Sequence, residues 1–278
     1  MIIAVASGKG GTGKTTIAIN LALSLDTTQL IDCDVEEPNV NIFLKATMDT
    51  HENVTVDTPT IDVKKCDYCG KCADFCMYHA LAVVPKKVLI FPELCHSCEG
   101  CALVCPRDAI SWKKRVIGTI DHGTRGAVDF YQGVLNIGEA MAVPLLRSLK
   151  KKIDATTHVI LDAPPGTSCP VIETIRGSDY CLLVTEPTPF GLHDLKIAVD
   201  VVRHLSIPFG VIINRDGSGD NRVECYCQHE KIPVVMKIPH SEKIAYLYSK
   251  GIPFVHELPE WRISFQNLFQ KLQNEVTP

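Results

Sequence analysis

The sequence lacks any marked imbalance of charge. Its 28 Lys and Arg stand against 32 Asp and Glu, a net charge of −4, so no general electrostatic pull toward nucleic acid or anionic membrane operates. It has no apolar run of the length a bilayer crossing demands. Its opening residues enter an apolar strand-like run directly, without the regions of a secretory signal. These absences lead to the expectation of a cytoplasmic protein with no nucleic-acid partner and no stable membrane insertion. Hydrophobic residues at 46% and charged residues at 22% are an ordinary globular mixture. At 278 residues the chain exceeds a usual single domain, so one large α/β domain or a domain carrying an insert is expected. What it has in excess is cysteine. Thirteen of them, an odd number, point in a cytosolic chain to metal or redox chemistry rather than disulfides.

The run Ser7-Gly8-Lys9-Gly10-Gly11-Thr12-Gly13-Lys14-Thr15-Thr16 lies between apolar Ile2–Ala6 and the helix-like Ile17–Leu23. Strand, glycine loop, helix is the setting in which a phosphate-binding loop works. Its backbone N–H groups turn inward onto phosphate oxygens, with the positive end of a helix behind them. Lys14 reaches the β- and γ-phosphates, and the Thr15 hydroxyl is the natural magnesium ligand. Gly8 to Thr15 fill all eight positions of the pattern. A second lysine inside the loop, Lys9, resembles the deviant signature of the MinD/ParA/nitrogenase-iron-protein group. That resemblance implies a homodimer with ATP at the interface, in which Lys9 reaches the partner's nucleotide. A solvated loop lysine is the competing reading.

Two acidic strand ends follow. Gln29-Leu30-Ile31-Asp32-Cys33-Asp34 places carboxylates where open α/β sheets carry their chemistry. The resemblance gives Asp34 the positioning of the attacking water and Asp32 a weaker role near the magnesium. Glu36-Glu37-Pro38-Asn39 then breaks into a loop, read as a mobile switch. Val159-Ile160-Leu161-Asp162 is an apolar strand ending in aspartate, the Walker B arrangement, with Asp162 ordering the magnesium shell. Pro164-Pro165-Gly166 behind it resembles the second switch of the same ATPases. Asn214, at another strand end, matches the asparagine those ATPases set against the adenine edge; a strand-end turn residue is the alternative.

The most specific signal is a repeat. Cys66-x-x-Cys69-x-x-Cys72-x-x-x-Cys76 is followed by Cys95-x-x-Cys98-x-x-Cys101-x-x-x-Cys105-Pro106. It resembles bacterial two-cluster ferredoxins, in which each run gives three ligands to one [4Fe–4S] cluster and its fourth to the other. On that pattern Cys66, Cys69, Cys72 and Cys105 hold one cluster, and Cys95, Cys98, Cys101 and Cys76 the second. Met77 stands where the ferredoxin pattern has proline, which removes no ligand. Zinc also uses Cys-x-x-Cys pairs, but three cysteines at two-residue gaps plus a fourth, occurring twice, do not suit two zinc ribbons. Cys225-x-Cys227 is one residue short of the Cys-x-x-Cys of cytosolic iron–sulfur scaffold ATPases, and positions two apart on a helix face differently. It is read as structural, with Cys33, Cys169 and Cys181.

Strand and helix signals then alternate to the C-terminus, implying a doubly wound, largely parallel sheet. Glu139–Lys152 reads as a helix despite Pro144, with Lys150-Lys151-Lys152 as its solvated end. Glu260–Glu275 sets Trp261, Phe265, Leu268 and Leu272 on one face. With few basic residues opposite, it is expected to pack on the sheet rather than anchor to a membrane. The whole resembles a MinD-superfamily P-loop ATPase, 1–56 and 115–278, with an inserted two-cluster ferredoxin domain, 57–114. The resemblance implies ATP, Mg2+ and two [4Fe–4S] clusters as cofactors, slow ATP hydrolysis, and a redox or iron–sulfur acceptor as partner. Electron transfer gated by ATP is the favoured function. A cluster carrier or scaffold, or a MinD-like positioning ATPase, are the alternatives.

Overall fold

The computed structural model describes residues 1–276; the last two residues of the expected ATPase boundary, Thr277 and Pro278, lie outside the described residues. The chain begins β1 (Ile2–Ala6), α1 (Lys14–Ala22), β2 (Thr28–Asp32), α2 (Val40–Leu44) and β3 (Thr47–Ile61). The cysteine-rich stretch holds α3 (Lys71–Phe75), β4 (Leu81–Val84), β5 (Lys87–Ile90) and α4 (Gly100–Leu103). Next come β6 (Ile110–Arg125), β7 (Val128–Leu135), α5 (Val143–Lys150), β8 (His158–Asp162), α6 (Cys169–Ile175) and β9 (Tyr180–Thr185). The chain finishes with α7 (Pro189–His204), β10 (Phe209–Asp216), α8 (Arg222–His229), β11 (Val234–Pro239), α9 (Glu242–Ser249) and α10 (Pro259–Val276).

Two compact units divide the chain. One comprises Met1–His51, Ile120–Val134 and Leu146 onward; the other comprises Glu52–Thr119 and Leu135–Leu145. In the first, strands follow the order β11-β10-β9-β1-β8-β2-β7, and the order continues through β6 and β3. β1 runs parallel to β8 and β9, β2 to β7 and β8, and β10 to β9 and β11. Parallel strands covered on both faces need near-continuous apolar runs, and Ile2–Ala6, Val159–Leu161 and Tyr180–Val184 supply them, nearly all buried. Ile17 and Leu21 of α1 and Phe265, Leu268 and Leu272 of α10 join that core. Each such side chain contributes about 1.5–3 kcal/mol by leaving water. The strands therefore end together, and their C-terminal loops share one edge of the sheet.

Three local readings change. The helix expected from Glu139 starts only at Val143, because Pro144 suits a first helical turn and not an interior. Lys150 is no solvated end: its ammonium donates to the carbonyls of Glu173 (2.7 Å), Thr174 (3.2 Å) and Arg176 (2.6 Å), closing the C-terminus of α6. The long strand β3 has no counterpart in the sequence reading.

In the second unit, β4 and β5 form an antiparallel hairpin. The two cysteine runs fold alike. Tyr68 and Ser97, each two residues after a first cysteine, have positive φ, as do Gly70 and Glu99 two residues later, and His79 and Asp108, each three after a fourth cysteine. Five of these six are not glycine, so the backbone accepts an unfavourable region at matched positions. Each fourth cysteine then receives a backbone N–H from four residues on, Ala80 to Cys76 Sγ at 3.3 Å and Ala109 to Cys105 Sγ at 3.4 Å.

Candidate nucleotide site and cysteine cavities

Gly8 to Thr16 connect β1 to α1 at the C-terminal edge of the sheet. Gly8 has no room for a side chain: a Cβ there would sit 2.1 Å from the Asp194 carbonyl oxygen. Gly13 is left-handed, with φ +96°, and starts α1 with Asn214 pressed against it. The Asn214 amide donates to the Thr12 carbonyl at 2.8 Å, and its oxygen accepts the Arg215 N–H at 3.0 Å. Asn214 thus braces the loop as well as lining the cavity beside it.

That cavity, about 400 Å³, is lined by Gly10, Gly11, Gly13, Lys14, Thr15, Thr16, Asp34 and Asn214. It therefore gathers most of the residues the sequence nominated. Lys14 is buried, which lowers its pKa, while Asp162, Asp34 and Asp32 pull it back up. Burial pushes the Asp34 carboxyl up to about 6 against the attraction of Lys14. It pushes Asp162 up to about 7, with the Thr15 hydroxyl and Lys14 opposing. Both Asp162 carboxylate oxygens are buried, with only the Thr15 hydroxyl among the described residues near enough to act as a donor, and the Thr12 hydroxyl is buried without a hydrogen-bond partner. A buried carboxylate with so few donors, beside a P-loop threonine, fits a hydrated divalent cation, the chemistry Mg2+ prefers.

Asp32 does other work. Fully buried, it accepts the backbone N–H groups of Asp34, Asn39 and Val40, each at 3.0 Å. It fastens the 34–40 loop, and desolvation with the nearby Asp162 charge raises its pKa well above its ordinary value. Lys9 lies 3.6 Å from Glu186, which also accepts from Arg215 at 2.6 Å. Sequence reasoning did not foresee Glu186 as that partner. It also missed His240, Ser241, Tyr248 and Phe254, which line the far end of the cavity. They come from α9 and its flanks, more than 220 residues from the loop, and carry no motif.

In the second unit, one cavity is lined by Cys66, Cys69, Cys72 and Cys105, and another by Cys76, Cys95, Cys98 and Cys101. Each therefore gathers three cysteines of one run and the fourth of the other. Among the described residues, no group of three or more His, Cys, Asp or Glu is spaced to hold one metal ion. On α8, Cys225 is exposed while Cys227 is buried, with its thiol pushed up to about 11 by burial. The two do not form a surface pair. Cys33 and Cys181 are also buried with raised thiol pKa values.

A family model of the CobQ/CobB/MinD/ParA nucleotide-binding domain matches residues 3–254. The chain belongs to this family. A protein of Methanocaldococcus jannaschii, MJ0579, is 34% identical over 263 residues, covering 92% of this chain and 91% of that protein. The iron-sulfur cluster carrier protein of Pyrococcus horikoshii is 24% identical, covering 99% of this chain and 86% of its own. The MinD cell division ATPase of Pyrococcus furiosus superposes with a TM-score of 0.61 at 19% identity, over 98% of each chain. The Pyrococcus horikoshii MinD bound to Mg-ADP gives 0.58 at 21% identity, over 99% of this chain and 95% of its own. This MinD-superfamily P-loop ATPase thus has the expected large, mostly parallel α/β sheet. Among the described residues no helix is long and apolar enough to cross a membrane.

Proposed function

We propose that this MinD-superfamily member is an ATP-hydrolysing iron–sulfur protein of the cluster-carrier type. The observation that carries the reading is the gathering of eight cysteines into two four-thiol cavities, in a chain similar over 99% of its length to a protein named as an iron–sulfur cluster carrier. Residues 57–114 form a ferredoxin-like insert in this reading. Cys66, Cys69, Cys72 and Cys105 hold one [4Fe–4S] cluster, and Cys76, Cys95, Cys98 and Cys101 the other. A zinc ion would draw four sulfurs to ~2.3 Å from one point. Four cysteines around each shared cavity supply the full thiolate set of a four-iron cluster.

Lys14 and the loop N–H groups bind the ATP phosphates, Thr15 and Asp162 hold Mg2+, and Asp34 orients the water. Mg2+ supplies charge neutralisation at the phosphates. Lys9 leaves Glu186 to reach a partner subunit's nucleotide in a homodimer. An acceptor protein takes the cluster. Electron transfer through resident clusters is the second reading, favoured by four thiols in each set, which leave no ligand position open for exchange.

The test is cluster transfer. Anaerobically loaded protein is mixed with an apo-acceptor, with Mg-ATP, with Mg-ADP or without nucleotide. Nucleotide-dependent transfer supports the carrier. Reversible reduction with no transfer under any condition supports the second reading and rejects the first.

A further inference from the structure

Lys9, Glu186 and Arg215 close a ring with the glycine loop. Glu186 follows β9, and Arg215 lies near the end of its neighbour β10. The Glu186 carboxylate is shared. Lys9 Nζ stands 3.6 Å from Oε2, and Arg215 Nη1 donates to Oε1 at 2.6 Å. Arg215 is also tied back to the loop: its N–H donates to Asn214 Oδ1 at 3.0 Å, and the Asn214 amide donates to the Thr12 carbonyl at 2.8 Å. Its backbone is left-handed, with φ +56°, a region that a non-glycine residue keeps only where its surroundings fix it. Arg215 lines the nucleotide cavity as well.

The three side chains differ in exposure. That of Glu186 is 11% exposed, against 32% for Lys9 and 53% for Arg215. A half-exposed cation that leaves its partner returns to water at small cost. A buried carboxylate left without a partner is penalised far more heavily. The departure of Lys9 is therefore governed by what remains on Glu186. Arg215 is suited to remain. It already holds one oxygen, and the planar fork of a guanidinium fits both oxygens of a carboxylate, which an ammonium does not.

We propose that Arg215 is a positioning residue for the ATP-dependent dimer, keeping the Glu186 charge matched when Lys9 departs for the partner subunit's nucleotide. With Arg215 in place, the carboxylate passes from two cations to one. Without it, Glu186 has Lys9 alone, and the pair becomes a lock. Each chain of the dimer releases one Lys9, so the effect enters the dimerisation constant twice. The inference rests on the dimer reading.

The experiment is sedimentation of the full chain in Mg-ATP, which gives the dimerisation constant. Arg215→Ala should lower it on the order of tenfold for each Lys9, about a hundredfold in all. Glu186→Gln/Arg215→Ala should return it at least to the wild-type value, because a neutral amide does not hold the lysine back. A residue needed only for the fold, or one that touches the nucleotide or the partner directly, is not relieved by that second substitution. Arg215→Lys should fall between Arg215→Ala and wild type. An unchanged constant in Arg215→Ala, or a defect that persists in the double variant, would overturn the inference. Should Arg215→Ala lose its thermal transition, Arg215→Lys decides, and a constant equal to wild type rejects the role. Wild-type protein that binds ATP by calorimetry yet stays monomeric rejects the dimer reading, and the inference falls with it.

Discussion

Lys9 and Glu186 are paired within one chain, at 3.6 Å, and Arg215 holds the other carboxylate oxygen of the same glutamate. In the proposed dimer Lys9 serves the partner subunit's nucleotide, so this contact competes with dimer formation. A partly exposed ion pair contributes about 0.2–1 kcal/mol. Glu186→Gln should therefore raise the dimerisation constant in Mg-ATP by up to about fivefold for each of the two Lys9 side chains released, measured by sedimentation, while Lys9→Ala abolishes the dimer. A Glu186→Gln protein that dimerises no better than wild type would show that the pair imposes no restraint.

Lys14 brings the phosphate counter-charge. Its loss removes charged hydrogen bonds that are each worth about 1.5–3 kcal/mol. ATP affinity should fall on the order of a hundredfold in Lys14→Ala, by calorimetry, with the thermal transition retained. Asp34→Ala should keep ATP and lose turnover; unchanged hydrolysis would remove Asp34 from the mechanism.

The carboxyls of Asp34 and Asp162 titrate near 6 and 7 because the fold buries them. Raised carboxyl pKa values mean that the native state holds protons which the unfolded chain has released. The nucleotide-free protein should therefore lose stability as pH rises from the ordinary carboxylate range to about 7. Divalent cation offsets the buried charge, so Mg2+ with nucleotide should raise the melting temperature more at pH 7.5 than at pH 5.5. Asp162→Asn should flatten that dependence. Equal Mg2+ effects at both pH values would contradict the assignment of Asp162.

The crossed ligand pattern makes a separate prediction. Cys76→Ser should damage the set containing Cys95, Cys98 and Cys101, not its sequence neighbours, taking iron from about eight toward about four per chain. Cys227→Ser, at a buried site on α8, should leave iron unchanged. Metal analysis with electron paramagnetic resonance reads both.

Contiguous chemistry was legible in the sequence. Gly8 to Thr15, the strand ending at Asp162 and the two cysteine runs each signal through local spacing; the cysteine runs and most of the glycine loop line cavities, while Asp162 is buried beside Lys14. Contacts made by distant residues were not. Glu186 reaches Lys9 across more than 170 positions, and Tyr248 lines the nucleotide cavity from α9. The strand β3 was invisible for another reason: its first seven residues are exposed, so no alternation marks them. The grouping of Leu135–Leu145 with the second unit joins stretches distant in sequence, which no pattern of residue types announces.

The central claim, an ATPase of the MinD superfamily carrying two four-iron clusters, is tested most directly by composition. Iron, zinc and acid-labile sulfide should be measured on protein isolated anaerobically from its native host. About eight iron atoms and eight sulfides per chain, without zinc, is the predicted result. Stoichiometric zinc with neither iron nor sulfide would contradict it.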